Sequence, residues 1–137
     1  MKSYDQKIEE VMTRVPYSVE PDEMLNEAWG KMRSRNYRQL PVVQSGRLVG
    51  VLSDRALRLA LSFEGSSRLK VNDVMVTDAL KVRPQDPLSS VCFSLANHAQ
   101  EFALVMGPNE SVVGIFTAQD AFRVLGDFAS QAPAKVA

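Results

Sequence analysis

The chain contains the same sequence pattern twice, with the two copies 63 residues apart. Residues 7–12 (KIEEVM) correspond to residues 70–75 (KVNDVM), and residues 50–53 (GVLS) correspond to residues 114–117 (GIFT) after a one-residue insertion in a turn. Four further positions keep the offset: Val19 with Val82, Pro21 with Pro84, Leu25 with Leu88 and Met32 with Leu95. Tandem similarity over about 60 residues indicates two structural units built alike.

Each copy has the same order of hydrophobic patterns, which predicts β-α-β-β-α twice and therefore a mixed α/β (α+β) fold. Each copy begins with an extended stretch, which is followed by a helix with apolar residues at helical spacing. Two strands rich in β-branched residues and a closing helix complete it. The predicted elements are strands 17–20, 40–43, 47–52, 80–83, 103–106 and 111–116, and closing helices 54–61 and 118–125. Asp86 is expected to cap the second copy's first helix with Pro87 at its first position, and Gly126 to end the last helix.

The repeat boundaries predict a first repeat at residues 7–62, a linker at 63–69, a second repeat at 70–126 and a tail at 127–137. A unit of this size buries only a modest share of its surface on its own. The two repeats are therefore expected to pack with pseudo-two-fold symmetry, which would leave two related clefts between them.

Charge and residue usage exclude several function classes. Lys plus Arg and Asp plus Glu number 16 each, so no overall attraction to nucleic acid is expected. Cys92 and His98 are the only residues of their types, which leaves neither a disulfide nor a zinc ligand set. The sequence contains no recognisable nucleophile with its base, no paired carboxylates and no P-loop, so an enzyme is not expected. The absence of a long apolar run and of a signal peptide predicts a cytoplasmic protein without a membrane partner.

On these repeated features the chain resembles a tandem pair of CBS domains, also called a Bateman module, of the stand-alone kind. The doubled Val-Met pairs, the residue 40–43 strand (LPVV) and residues 114–120 (GIFTAQD) carry the resemblance. It implies a homodimer whose clefts bind AMP, ADP, ATP or S-adenosylmethionine as a regulatory ligand. It also implies no obligatory cofactor, and an unidentified protein that the module regulates.

The family pattern of Gly, two apolar residues, Thr or Ser, two variable residues and Asp marks a candidate site in the second repeat. There Asp120 would accept from both hydroxyls of a ribose, and Thr117 would donate to a phosphate at a helix N-terminus. The first repeat departs from this pattern, because Ser53 is present but Ala56 replaces the carboxylate. A purely structural alternative is that Thr117 and Asp120 cap the helix, since their spacing is close to that of a capping box.

The resemblance places the other wall of that cleft on residues from the first repeat. Arg38 is a candidate phosphate ligand, and Tyr37 would stack on an adenine or belong to the core. Arg33 and Arg35 are interpreted as solvated surface residues. The implied wall consists of Arg14, Val15, Pro16, Tyr17, Tyr37, Arg38 and Gln39.

An alternative function is a structural or dimerisation module that has no ligand and acts through a protein partner. Ala56 favours it, as does the stretch 101–104 (EFAL), which lacks the proline found at residue 41 in the first repeat. Nucleic acid is not expected as a partner, because the only support for it is a set of scattered arginines.

Overall fold

The computed structural model describes residues 5–14 and 17–131 and has a mixed α/β fold. The helices and strands follow the predicted order in the second repeat, whereas in the first repeat the predicted strand at residues 17–20 is reduced to a single bridge from Val19 to Val42, and a short strand that was not predicted lies at Thr13–Arg14. In chain order they are α1 (Ile8–Val11), β1 (Thr13–Arg14), α2 (Leu25–Arg35), β2 (Gln39–Gln44), β3 (Arg47–Ser53), α3 (Asp54–Leu61), α4 (Val71–Val74), β4 (Leu80–Val82), α5 (Leu88–Asn97), β5 (Phe102–Met106), β6 (Val112–Thr117) and α6 (Ala118–Gln131). Short 3-10 turns occupy Ser66–Arg68 and Pro108–Glu110.

The chain divides into two compact units that do not coincide with the sequence repeats. Of the described residues, unit 1 contains 5–14, Leu80–Gly107 and 113–131. Unit 2 contains residues 17–79, together with Pro108–Val112. Each unit therefore takes its leading segment, residues 5–14 in unit 1 and residues 70–79 in unit 2, from the other repeat.

The sheets show this exchange of leading segments directly. Unit 1 has a four-stranded sheet in the order β1-β6-β5-β4, in which β1 is antiparallel to β6 and β4 is parallel to β5. Unit 2 has the antiparallel pair β2-β3, flanked by single bridges from Val19 to Val42 and from Val76 to Val51. Unit 2 therefore repeats the arrangement of unit 1, with Val76, β3, β2 and Val19 in the places of β1, β6, β5 and β4. In both units the segment at the edge, β1 or Val76, belongs to the leading segment.

Each unit has its own hydrophobic core, and the leading helix contributes to it. Ile8 of α1 is buried with Val82, Val105 and Phe116 in unit 1. Val71 of α4 is buried in the unit 2 core, where most of the other buried side chains come from α2, β2, β3 and α3. The repeated Val-Met pairs follow from this packing, because Val11 and Met12 pack against one core, and Val74 and Met75 against the other.

The prediction that Asp86 caps α5 is wrong. Pro87 is the N-cap residue of α5, and Asp86 instead accepts a hydrogen bond from the Arg83 amide within the preceding turn. The cap comes from the leading segment, since Asp5 accepts from the amide and the hydroxyl of Ser89 at 2.9 and 2.8 Å. These hydrogen bonds lower the pKa of the Asp5 carboxyl by stabilising its charged form.

The prediction that Gly126 ends the last helix is also wrong, because α6 continues through it to Gln131. Glycine ends helices when it adopts a left-handed conformation, and Gly126 does not have a positive φ. Residues 127–131 of the predicted tail are thus helical. Among the described residues, no helix has the length and apolar content needed to cross a bilayer.

Candidate functional site

Thr117 and Asp120 form a complete capping box at the start of α6. The Asp120 amide donates to Thr117 Oγ1 at 3.1 Å, and the Thr117 amide donates back to Asp120 Oδ2 at 3.0 Å. The Thr117 hydroxyl also donates to Oδ2 at 3.1 Å. The capping role that the sequence allowed for these two residues is therefore present, and it fixes the carboxylate at the helix N-terminus.

The other carboxylate oxygen of Asp120 is held by two further side chains. Thr13 Oγ1 donates to Oδ1 at 2.9 Å, and Arg123 Nη1 lies 3.0 Å from the same atom. Asp120 is 3% exposed, whereas the Arg123 side chain is 64% exposed. Both oxygens thus have donors within unit 1. A diol that binds this carboxylate must replace one of them, and the exposed Arg123 is the easier to displace.

Thr13 reaches Asp120 because β1 lies very close to β6. Thr13 is paired with Ile115 and Arg14 with Gly114 in the antiparallel register. A Cβ built on Gly114 would lie 2.5 Å from Met12 Sδ and 2.9 Å from the carbonyl oxygen of Thr13. Only glycine allows this approach without a shift of the backbone. Gly114 therefore brings the Thr13 hydroxyl next to the carboxylate.

Several residues that the resemblance implicated lie together in unit 2. The rings of Tyr17 and Tyr37 are 6.0 Å apart, and the Arg35 guanidinium lies 3.7 Å from the Tyr17 ring centroid. Tyr37 also packs against the unit 2 core, so the core alternative for this residue is present in the structure. Gln39 begins β2 opposite Ser53.

Arg14 lies on β1 in unit 1 and is exposed. Val15 and Pro16 lie outside the described residues. The remaining predicted wall residue, Arg38, lines an open groove of about 400 Å³ in unit 2. The other groove residues are Trp29, Met32, Arg33, Asn36, Tyr37, Asp54 and Arg58.

In the described part of the chain, Cys92 and His98 have structural surroundings, and no group of metal ligands is present. Burial raises the pKa of the Cys92 thiol, and Cys92 packs against the unit 1 core. His98 is the C-cap residue of α5, where its Nδ1 lies 2.8 Å from the Ser94 carbonyl oxygen. Over residues 5–14 and 17–131, no three His, Cys, Asp or Glu side chains are grouped to hold a metal.

The CBS domain family model matches the chain twice, at residues 8–62 and 71–127. The chain belongs to the CBS domain family. The two matched segments together account for most of the chain.

Curated relatives include both a small CBS protein and much longer enzymes. The CBS domain-containing protein YhcV of Bacillus subtilis is 28% identical over 114 residues, which cover 82% of this chain and 81% of YhcV. The inosine-5'-monophosphate dehydrogenase of Thermoplasma acidophilum is 30% identical over 112 residues, which cover 82% of this chain but only 22% of the enzyme.

Solved structures of CBS pairs share the fold. AcuB of Vibrio cholerae, described as an acetoin utilization protein, has a TM-score of 0.75 at 28% identity and covers 93% of this chain and 98% of its own. The CBS domain pair of protein MJ0100, in complex with 5'-methylthioadenosine and S-adenosyl-L-methionine, has a TM-score of 0.81 at 20% identity, with coverage of 90% and 98%. CBSX2 in complex with AMP has a TM-score of 0.77 at 22% identity, with coverage of 90% and 98%.

The two CBS repeats of this chain differ at the carboxylate position. Ser53 caps α3 by accepting from the Ala56 amide at 3.1 Å, as Thr117 caps α6. Ala56 has no side chain that could accept a hydrogen bond. Asp54, two positions earlier, is directed to Arg58, whose Nε lies 3.1 Å from its carboxylate. Of the two repeats, the second alone has a carboxylate three residues after its capping Ser or Thr.

Proposed function

We propose that the chain is a regulatory module that binds an adenine nucleotide or a related adenosyl ligand in a cleft between its repeats. The observation that carries this proposal is the placement of the Asp120 carboxylate and the Thr117 hydroxyl at the start of α6. Two carboxylate oxygens match the two hydroxyls of a ribose, and a hydroxyl at a helix N-terminus suits a phosphate.

Related proteins support the class of ligand. The MJ0100 pair is a complex with 5'-methylthioadenosine and S-adenosyl-L-methionine, and CBSX2 is a complex with AMP. The wall residues Arg14, Val15, Pro16, Tyr17, Tyr37, Arg38 and Gln39 remain part of the proposal, with Tyr17 and Tyr37 already adjacent in unit 2. The module itself is proposed to have no catalytic turnover and to act in the cytoplasm on an unidentified protein.

A second candidate function is a module without a ligand that acts only by binding a protein partner. It is favoured by the hydrogen bonds that Asp120 already makes, because both carboxylate oxygens have donors from Thr13, Thr117 and Arg123. In that case the carboxylate would serve only to hold β1 against α6.

A thermal-shift screen separates the two candidates. We expect at least one of AMP, ADP, ATP and S-adenosylmethionine to raise the unfolding midpoint, because a ligand that binds only the folded state stabilises it by mass action. At a ligand concentration 100 times the Kd the gain is about 2.7 kcal/mol, which is readily measured. Guanosine and cytidine nucleotides at the same concentration are the matched controls. Equal midpoints with every ligand would favour the module without a ligand.

We also expect a homodimer, since large apolar side chains are exposed on the helices. Phe122 and Leu125 are exposed on α6, as are Phe93 on α5 and Leu59 on α3. Exposed apolar side chains of this size on neighbouring helical turns are typical of protein interfaces. Light scattering should give twice the mass of one chain, and Phe122→Glu should shift it toward the monomer. A parent protein that remains monomeric at micromolar concentration would contradict the prediction.

A further inference from the structure

The two units carry different side chains at equivalent positions on their exposed helices. Helices α2 and α5 keep the 63-residue offset, so Gly30 corresponds to Phe93. The one-residue insertion makes the offset 64 between α3 and α6, so Arg58 corresponds to Phe122. Unit 1 therefore has aromatic rings where unit 2 has a glycine and an arginine.

The unit 1 face, which we define by Phe93, Ala96 and Phe122, is apolar. The two phenylalanines are 69% and 71% exposed, and Ala96 is exposed on the next turn of α5. Helix α5 contains no charged residue, and the only cation of α6, Arg123, is paired with Asp120. Large apolar side chains that are exposed in this way are typical of surfaces that bind another protein.

The unit 2 face, which we define by Trp29, Gly30, Arg33 and Arg58, is cationic. The guanidinium carbons of Arg33 and Arg58 lie 5.6 and 5.4 Å from the Trp29 ring centroid. Arg58 is paired with Asp54, whereas Arg33 has no ion-pair partner within residues 5–14 and 17–131. A Cβ added to Gly30 would meet no atom within 4 Å. This surface thus combines positive charge with room for a large side chain.

The total charge of the helices follows the same division. Helices α2 and α3 together contain five basic and two acidic residues, whereas α5 and α6 contain one basic and two acidic residues. Two unit 2 faces brought together would place arginines opposite arginines, which electrostatic repulsion disfavours. An aromatic face placed opposite an arginine face avoids this repulsion and gains cation–π attraction.

We propose that the unit 1 face of one copy binds the unit 2 face of a second copy. The open space at Gly30 accommodates an aromatic ring of the other copy, and the arginines that flank Trp29 contact the faces of such rings. Repulsion between two cationic faces acts against the pairing of like with like, which makes the contact specific. The proposal rests on the homodimer proposed above and assigns which surfaces meet in it.

Two substitutions of one residue distinguish this pairing from a pairing of like faces. Phe122→Glu and Phe122→Arg remove the same ring and add charges of opposite sign. We expect the dimer dissociation constant to be at least tenfold higher for Phe122→Arg, because the new cation faces the arginines of unit 2. A factor of ten corresponds to about 1.4 kcal/mol. Light scattering over a dilution series measures both constants. Equal constants, or a higher one for Phe122→Glu, would overturn the pairing.

Cross-linking tests the same contact without removing any aromatic or charged side chain. Gly30→Cys and Ala96→Cys, each combined with Cys92→Ala, place a single thiol on the unit 2 face or on the unit 1 face. Both positions are exposed and carry small residues. A short bismaleimide should join the two variants when they are co-expressed, and it should join neither variant when it is expressed alone.

The outcomes separate failure of the pairing from failure of the homodimer. A cross-link in either variant alone would show that like faces meet. A dimer that gives no cross-link in the co-expressed mixture would place the contact elsewhere, and either result overturns the pairing while the homodimer stands. A parent chain that is monomeric in light scattering overturns both. Urea unfolding midpoints verify that each variant is folded, and the nucleotide proposal is tested separately by thermal shift.

Discussion

Asp120→Ala is expected to weaken adenine nucleotide binding by about one to two orders of magnitude. The reason is the loss of a charged acceptor for the ribose hydroxyls, which contributes roughly 1.5–3 kcal/mol. The same change should lower the free energy of unfolding by about 1–2 kcal/mol, because it removes the acceptor of the Thr117 amide in the capping box and the acceptor of the exposed Thr13 hydroxyl. Total stabilities of about 5–15 kcal/mol leave such a variant folded.

Calorimetry and urea unfolding on the same preparations separate these two effects. Arg123→Gln is the matched control, because it removes a donor from the carboxylate without removing the carboxylate. The Arg123 side chain is largely exposed and the carboxylate keeps its other donors, so the stability should change by about 1 kcal/mol or less, and the affinity should stay equal or increase. A folded Asp120→Ala protein with the parent affinity would remove Asp120 from the site.

The stoichiometry of the parent protein tests a related expectation. Ala56 occupies the position in the first repeat that Asp120 occupies in the second, so we propose one strong nucleotide site per chain. Two equal sites per chain in the calorimetric titration would contradict the proposed inequality of the clefts.

Gly114→Ala is expected to destabilise the fold by about 2 kcal/mol, within the range for overpacked cores. The new methyl group would lie 2.5 Å from Met12 Sδ and 2.9 Å from the Thr13 carbonyl oxygen, and a backbone atom cannot rotate away. Gly50→Ala should be somewhat milder, because the corresponding distances, to Met75 Sδ and the Val76 carbonyl oxygen, are 2.8 and 3.0 Å. Urea unfolding of the variants measures both effects.

Gly30→Ala is the control for these glycine substitutions. Gly30 lies inside α2, and a methyl group added there would meet nothing within 4 Å, so alanine should stabilise the helix by about 0.5–1 kcal/mol. If Gly114→Ala were as stable as the parent, the close approach of β1 to β6 would not restrict residue 114. Because that approach also positions Thr13, we expect Gly114→Ala to weaken nucleotide binding as well.

The sequence was sufficient to predict most helices and strands of the fold, but it missed β1 and did not reveal the pairing of the leading segments. The 63-residue offset identified which segments are alike, and β-branched runs and helical spacing located the strands and helices. The apolar pattern of residues 7–12 is the same whether Ile8 and Met12 pack in the core of unit 1 or in that of unit 2, so it cannot show which unit the segment joins. The capping of α5 was mispredicted for the same reason, because Asp5 is 84 positions from Ser89 and no local pattern connects them.

Part of the candidate site could be predicted from the sequence. The spacing of Thr117 and Asp120 predicted a capping box, and the structure contains it. The donors Thr13 and Arg123 were missed. Arg123 could have been noticed from its i,i+3 spacing to Asp120, whereas Thr13 depends on strand pairing. The unit 2 groove was missed because it requires Arg33 and Arg58, on two different helices, to reach the same tryptophan.

The exchange of leading segments makes the two units unequal during synthesis. Chains emerge from the ribosome with their N-terminus first, and folding can begin before synthesis is complete. Residues 5–14 are already available when the second repeat is made, so unit 1 can close as soon as α6 appears. In unit 2, the β2-β3 hairpin and helices α2 and α3 are made first. The core and the sheet edge of this unit stay uncovered until α4 and Val76 have been made. The first-made unit is therefore the one that spends part of translation with an open edge.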